Sequence, residues 1–257
     1  MSDLDVLTKM PSSKYYEDVP EIDAREFEKV IQSRRSVRVF NDEKVPEEIM
    51  RKCLDLALLA PNSSNLQPWE FYWVRSKDKK EKLVKYCLGQ LAAKTAAEIV
   101  VCVARTDKWK KRQQEMLESF DQSSEKVPKG AYTYYKKIVP FAYTQGYFGI
   151  LGLLKKIIFF FIGLKKVTPR EPASKTDMRI WAHKSTALGC ENLMLALRAY
   201  GYDSCPMEGL DSKRVKKLLN LPRHADVCMA ISAGKRSETG VFGKRIRMPK
   251  DKFVFEV

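Results

Sequence analysis

Two short clusters of polar residues near the N-terminus have the composition of a ligand site. Residues 33–40 place three arginines and two serines within eight positions. Arginine offers a planar fork of N–H donors that matches phosphate oxygens, and serine adds a short hydroxyl donor. Residues 60–69 are rich in amides and hydroxyls, contain two prolines and precede an apolar run. The first cluster predicts a phosphate site, and the second predicts a loop that hydrogen-bonds a flat polar ligand.

Neither cluster alone is decisive, because an arginine-rich octamer is more often a solvated face, but together they form part of a longer pattern. Arg-Arg-Ser-x-Arg-x-Phe at 34–40 is followed by a predicted helix and by Ala-Pro-x-Ser-x-Asn-x-Gln-Pro-Trp at 60–69. Pro-Met-Glu-Gly at 206–209 and Arg-Ile-Arg-Met-Pro at 245–249 come later. In this order the four motifs closely resemble the FMN-dependent nitroreductase family. The resemblance covers roughly residues 25–105 and 175–257 and is weak between them.

The resemblance implies an α+β fold, with a central, mostly antiparallel sheet flanked by helices in an intertwined homodimer. We expect a single domain over 1–257, with a divergent lid or insert at about 107–170, and two flavins at the subunit interface. The alternating run at 252–257 predicts a terminal strand that crosses to the partner.

The resemblance also assigns the FMN contacts. It places Arg34, Arg35 and Ser36 at the ribityl phosphate and chain and Arg38 at the N1/O2 edge of the ring, and it adds Arg245 and Arg247 at the phosphate. From the partner subunit the polar loop would contribute Asn62, Ser63, Ser64, Asn65 and Gln67. The ring would also meet Gln90 and the turn formed by Pro206, Met207, Glu208 and Gly209. The catalytic contact would be a main-chain N–H of Glu208 or Gly209 pointing at flavin N5.

The activity implied is a ping-pong reaction in which NADH or NADPH reduces FMN and a nitroaromatic, a quinone or a similar small molecule reoxidises it. No nucleophile motif and no phosphate-binding glycine loop suggests another chemistry. An alternative within the fold is a flavin-fragmenting enzyme or a reductive dehalogenase resembling iodotyrosine deiodinase. Glu118, Tyr132 and Lys136 are candidates for that dehalogenase's substrate-binding set.

Composition limits the ligands, the cellular compartment and the metal sites that can be considered. The 257 residues include 47 Lys and Arg against 32 Asp and Glu, a net charge of +15 that attracts anions. Flavin and nicotinamide phosphates would account for only a few of these charges. The six cysteines lie largely in apolar runs, which favours a reduced, cytoplasmic setting, and two histidines exclude a histidine-rich metal site. The polar residues 1–16 do not form a signal peptide.

Residues 146–166 are unusually apolar but carry two pairs of lysines. A lysine near the middle of a spanning helix costs about 2.5–3.5 kcal/mol, so a membrane span is disfavoured. The segment is either a lid that packs on a partner or an interfacial element on an anionic membrane. The second interpretation raises an alternative function, a membrane-surface flavin-binding protein with little turnover. Nucleic acid is a weaker candidate because only charge supports it.

Periodicity and capping residues predict the elements that position these motifs. Residues 1–20 form an irregular arm, and residues 107–140 are irregular but helical. Helices are predicted over 24–32 with Asp23 as cap, 46–59, 77–97, 176–198 and 211–219. Strands are predicted over 69–74, 98–104, 225–233 and 252–257.

Overall fold

The computed structural model of the protein describes residues 15–257. Its centre is a four-stranded sheet in the order β1-β2-β4-β3, in which every neighbouring pair is antiparallel. The strands are β1 (Trp69–Trp73), β2 (Glu98–Arg105), β3 (Asp203–Met207) and β4 (Ala225–Gly234). The α+β prediction with an antiparallel sheet is therefore confirmed. The predicted N-terminal arm lies outside the described residues up to position 14.

Ten α-helices lie around this sheet in the described part of the chain. They are α1 (Ala24–Ser33), α2 (Glu47–Leu58), α3 (Lys77–Tyr86), α4 (Leu91–Lys94), α5 (Trp109–Gln122), α6 (Lys129–Thr133), α7 (Val139–Tyr143), α8 (Ile150–Gly163), α9 (Lys175–Ala199) and α10 (Ser212–Leu218). A single π-helical turn, Tyr134–Ile138, joins α6 to α7. Asp23 caps α1 as predicted, and Asp211 caps α10, because their side chains accept the amide N–H groups of Arg25 and Arg214.

Strand β2 separates two layers of apolar side chains. Ile99, Val101 and Val103 pack into one core cluster, and Val100 and Cys102 pack into another with α2 and α9. Successive side chains of a strand point to opposite faces, and both faces of β2 are covered, so the strand is apolar along almost its whole length. The strand predicted at 98–104 is confirmed, and it is buried along almost its whole length.

A third apolar cluster joins residues 107–170 to the rest of the molecule. Tyr135, Val139 and Tyr143 pack with Trp181 of α9 and with Leu66 of the polar loop. Residues 107–140 are helical and irregular, as predicted, and Tyr134, Tyr135 and Tyr143 contact the loop at 62–67. Helix α8 follows α7.

Three element predictions are corrected by the structure. The helix predicted over 77–97 breaks into α3 and α4, because Leu88 and Gly89 have positive φ angles of 58° and 65°. Glycine adopts this conformation without strain. Helix α9 begins after Ser174, which accepts the N–H of Asp177, rather than at Thr176 or Asp177.

The run predicted as a terminal strand over 252–257 forms no strand within this chain. The described chain has a 3₁₀ turn at Lys250–Lys252 and then exposed, irregular backbone. Phe253 and Phe255 keep about 70% of their surface in contact with solvent, so the apolar alternation finds no partner strand in this chain.

Candidate functional site

The arginines predicted from the two ends of the chain line one cleft. Its volume is about 270 Å³, and its walls are Arg34, Arg35, Ser36, Arg38 and residues 241–247, which include Arg245 and Arg247. The two walls hydrogen-bond to each other. Arg35 Nη2 donates to the carbonyl oxygen of Gly243 at 2.5 Å, and Arg245 donates to the carbonyl oxygen of Arg34.

The backbone after α1 is held against the sheet, which positions the first wall. Val37 is fully buried, and its N–H donates to the carbonyl oxygen of Ser204 at 3.0 Å. The N–H of Arg38 donates to the carbonyl oxygen of Gly240 at 2.7 Å. Residues 34–38 therefore run beside the start of β3 while their polar side chains line the cleft.

The cleft concentrates positive charge. Partial desolvation, together with the guanidinium groups of Arg247, Arg35 and Arg34, lowers the pKa of Arg245. The ion pair seen for Arg34 joins its Nε to Glu191 Oε1 at 3.8 Å, near the limit of such a contact. Like charges held together with little compensation favour an anion between them. Guanidinium forks and a serine hydroxyl are donors suited to a phosphate group.

Strand β3 leads from this cleft to the predicted ring contacts. Pro206 and Met207 are the last residues of the strand rather than part of a turn, and the turn itself comprises Glu208 and Gly209. The side chain of Gln90 donates to the carbonyl oxygen of Gly209 at 2.8 Å. Within residues 15–257, no acceptor takes the main-chain N–H of Glu208 or Gly209, and both residues are exposed. These amides are available to a ligand.

The polar loop at 62–67 faces the helices of residues 107–170 instead of the arginines. Ser63 Oγ lies 3.1 Å from the Tyr143 hydroxyl, and Ser64 Oγ lies 2.7 Å from Tyr134 and 3.0 Å from Tyr143. Tyr135 donates its hydroxyl to the carbonyl oxygen of Ser64 at 2.7 Å.

The rest of the loop is closed by Asn62, whose Oδ1 accepts the N–H of Gln67 at 2.8 Å and whose Nδ2 lies 3.4 Å from Asn65 Oδ1. Ser64, Asn65 and Gln67 all have positive φ. No hydrogen bond or ion pair in the described chain joins this loop to the arginine cleft, and no residue of the loop is part of the cleft lining.

Several site residues were not predicted. Tyr134, Tyr135 and Tyr143 hold the loop, and Phe242 lies beneath the Arg38 guanidinium at 5.8 Å. Their positions depend on long-range packing that no local pattern reveals. The Glu-Tyr-Lys set considered for dehalogenation is only partly assembled. Lys136 lies over the Tyr132 ring at 5.3 Å, but the Tyr132 hydroxyl donates to Asp121, and no contact links Glu118 to either residue in the region described.

A sequence model described as the nitroreductase family matches residues 31–235. This chain belongs to the nitroreductase family. It is therefore an oxidoreductase. A NADH dehydrogenase of Thermus thermophilus is 27% identical over 217 residues, which are 84% of this chain and 90% of the relative.

Solved structures of the nitroreductase family show the same fold. The Bacillus subtilis protein ydfN superposes with a TM-score of 0.70 at 22% identity, covering 91% of this chain and all of that one. A structure from Exiguobacterium sibiricum, solved in complex with FMN, gives a TM-score of 0.67 at 21% identity and covers 90% and 97%.

Neither a membrane span nor a metal site is evident in the described residues. Over 15–257 no single helix is long and apolar enough to cross a membrane. Two consecutive helical stretches, Lys129–Tyr143 and Tyr147–Gly163, are long and apolar enough only when taken together, and the chain bends by 70° between them. No group of three or more His, Cys, Asp or Glu side chains there is arranged to hold a metal ion.

Proposed function

We propose that this nitroreductase-family protein binds FMN with its phosphate in the arginine cleft and uses NADH or NADPH to reduce small electron-poor acceptors. The observation that carries the proposal is the convergence of Arg34 and Arg35 with Arg245 and Arg247 on one cleft. These residues lie about 200 positions apart in sequence, and their charges have little compensation within the protein. A phosphate offers the matching charge and geometry.

The strand β3 would then set the orientation of the flavin. The arginine cleft, which would hold the phosphate, lies at the start of the strand, and the free amides of Glu208 and Gly209 lie at its other end. At about 3.3 Å per residue, β3 spans a length suited to the ribityl chain and part of the ring. FMN held there would supply the two-electron redox chemistry between the nicotinamide and the acceptor. The chain's own amides would donate hydrogen bonds at N5, and the Arg38 cation would favour negative charge at the N1/O2 edge.

A homodimer would complete the site. The polar loop at 62–67 does not line the arginine cleft of its own subunit, and in a dimer a second copy would bring its loop to that cleft. Apolar side chains exposed on α1 and α9 and on the C-terminal tail support such a contact, among them Phe27, Ile31, Leu188, Phe253 and Phe255. Covering about 1,000 Å² or more of such surface would be expected of a stable dimer.

Absorbance spectroscopy of the purified protein tests this function. The protein should show protein-bound flavin bands, as isolated or after incubation with FMN, and anaerobic NADH or NADPH should bleach them. A nitroaromatic or a quinone should restore the bands with the parallel-line kinetics of a ping-pong reaction. A protein that binds no FMN would overturn the proposal, as would bound flavin that neither nicotinamide reduces. Turnover of a halotyrosine in place of these acceptors would favour the dehalogenase alternative.

A further inference from the structure

Helix α8 buries its more polar face and exposes its apolar face, the reverse of an ordinary surface helix. Its buried residues are Gly152 and Lys155, while its solvent face carries large apolar side chains. Ile150, Leu153, Ile157, Phe161 and Leu164, at the end of the helix, recur every three or four positions and therefore share one face. Each is between 48% and 67% exposed. A surface helix of a globular protein normally directs such a face toward the core.

Specific contacts fix this rotation of α8. Lys155 points inward and donates to the carbonyl oxygens of Ala142 and Thr144, at 3.1 Å and 2.5 Å, at the C-terminal end of α7. Gly152 packs so closely that an added Cβ would lie 2.5 Å from the carbonyl oxygen of Ala173. Arg170 donates to the carbonyl oxygen of Phe159 at 2.9 Å. The polar anchors hold one face of the helix, so its apolar face is directed outward.

Positive charge lies on and beside this apolar face. Residues 126–170 contain eight lysines and one arginine and no aspartate or glutamate, so this segment alone carries +9 of the net charge of +15. Lys156, Lys165 and Lys166 on and beside α8 are exposed. An apolar cavity of about 630 Å³ lies beside the helix, with Phe141, Phe159 and Lys166 in its lining. Apolar surface bordered by lysines complements a bilayer that carries anionic headgroups.

We propose that α8 is a membrane-docking helix, which inserts its apolar face into the headgroup and acyl boundary of an anionic bilayer while the flanking lysines contact lipid phosphates or carboxylates. A second copy of this chain is a poor occupant of the same face. It would bring two segments of +9 against each other without any acidic residue between 126 and 170 to compensate. The proposal concerns a surface other than the arginine cleft and does not depend on flavin binding.

Co-sedimentation of the full-length protein with lipid vesicles tests the proposal. The protein should pellet with phosphatidylcholine vesicles containing about one-third phosphatidylserine and at least about tenfold less with pure phosphatidylcholine. An apolar-face double variant, Ile157→Gln with Phe161→Gln, should reduce the partition coefficient about tenfold or more. Its matched control is Val19→Gln with Ile22→Gln, which removes two exposed apolar side chains elsewhere and should bind like the wild type.

Two triple charge-reversal variants test the contribution of the lysines to vesicle binding separately from that of the apolar face. Lys156→Glu, Lys165→Glu and Lys166→Glu together should weaken binding at least about tenfold. The same three changes at Lys77, Lys79 and Lys85, exposed on α3, alter the net charge equally and should have a much smaller effect. Circular dichroism of each variant checks that it is folded.

Four results would overturn the proposal. These are no pelleting of the wild type with anionic vesicles, equal pelleting with neutral vesicles, equal pelleting of the apolar-face variant, and equal losses for the two charge reversals. A lower oligomeric state of the apolar-face variant without lipid, measured by light scattering, would also overturn it, because a second copy would then cover α8.

Discussion

The arginine cleft and helix α8 both concentrate positive charge, but they present it on surfaces of opposite character. The cleft is concave, with guanidinium groups from distant parts of the chain directed at a common space. Helix α8 is convex, with lysines around an exposed apolar face. A compact anion fits the first, and an extended anionic surface with an apolar interior fits the second. The net positive charge of the protein therefore supports two separate binding roles. The value of the net charge alone does not reveal either role.

The largest effect expected is the loss of FMN binding when charge in the cleft is reversed. Arg34→Glu replaces a phosphate donor by a repelling carboxylate and should raise the Kd for FMN about 100-fold or more, equivalent to about 3 kcal/mol. Flavin fluorescence titration measures it. Arg223→Glu, an exposed arginine between α10 and β4, is the matched control and should bind like the wild type. Equal Kd values for all three proteins would show that the cleft does not hold the phosphate.

Measuring both FMN binding and vesicle binding for each variant tests whether the two surfaces act separately. The triple charge reversal at Lys156, Lys165 and Lys166 should weaken vesicle binding about tenfold and leave the FMN Kd within about twofold. Arg34→Glu should weaken FMN binding and leave vesicle binding nearly unchanged. Both assays are run on both proteins at one ionic strength, because surface electrostatics depend on salt. If either variant lost both activities in parallel while remaining folded, the two surfaces would have to be one functional unit.

The turn after β3 provides a smaller and more local test. A Cβ at Gly209 would lie 3.5 Å from Gln90 Nε2, an ordinary contact, so Gly209→Ala should leave the Tm unchanged. If the flavin ring lies against this backbone, the added methyl group should weaken FMN binding about tenfold through steric contact. Calorimetry and fluorescence titration measure the two quantities. An unchanged Kd would place the ring elsewhere.

The tyrosines of residues 107–170 hold the polar loop at 62–67 in place. Tyr143→Phe removes hydrogen bonds to Ser63 and Ser64 and should lower the free energy of unfolding by about 1–2 kcal/mol. The Tm should fall by about 2–8 °C. Tyr147→Phe, which alters a 90% exposed ring, serves as the control. No change in Tm for Tyr143→Phe would mean that these bonds do not stabilise the loop.

The smallest expected effect concerns the pH dependence of Lys155. Burial lowers the pKa of this ammonium group below its ordinary value of 10.5. Between the lowered pKa and 10.5 the unfolded chain holds the proton and the folded chain does not, so this group makes stability rise with pH across that window. Lys155→Met should flatten the rise, measured by urea unfolding up to pH 10.5. The exposed Lys156→Met should not, and identical slopes for both variants would contradict the burial of Lys155.

The residues of the arginine cleft could be predicted from the sequence, whereas the orientation of α8 could not. Arginine, serine and amide side chains identify their chemistry by type, and the four motifs indicated that the two chain ends belong to one site. The apolar, lysine-flanked run at 146–166 was recognised, but its orientation was not. That orientation depends on Lys155 reaching carbonyl groups of the preceding helix, a tertiary contact without a local signature.

The errors have similar physical causes. Gly89 was a signal for a helix break, but the apolar spacing on both sides of it favoured one continuous helix. Phe253 and Phe255 alternate like a strand, yet strand formation requires a partner that the described chain does not provide. The polar loop was identified as a ligand loop, whereas its contacts with Tyr134 and Tyr143 could only be seen in three dimensions.

Comparing FMN with riboflavin tests the central claim most directly, because the two differ only in the phosphate. Their Kd values should be measured by fluorescence titration for the wild type and for the double variant Arg245→Ala with Arg247→Ala. We predict that the wild type binds FMN about 100-fold or more tightly than riboflavin, and that the double variant loses most of this preference while its riboflavin affinity changes little. Equal binding of the two flavins by the wild type, or an undiminished preference in the variant, would contradict the account.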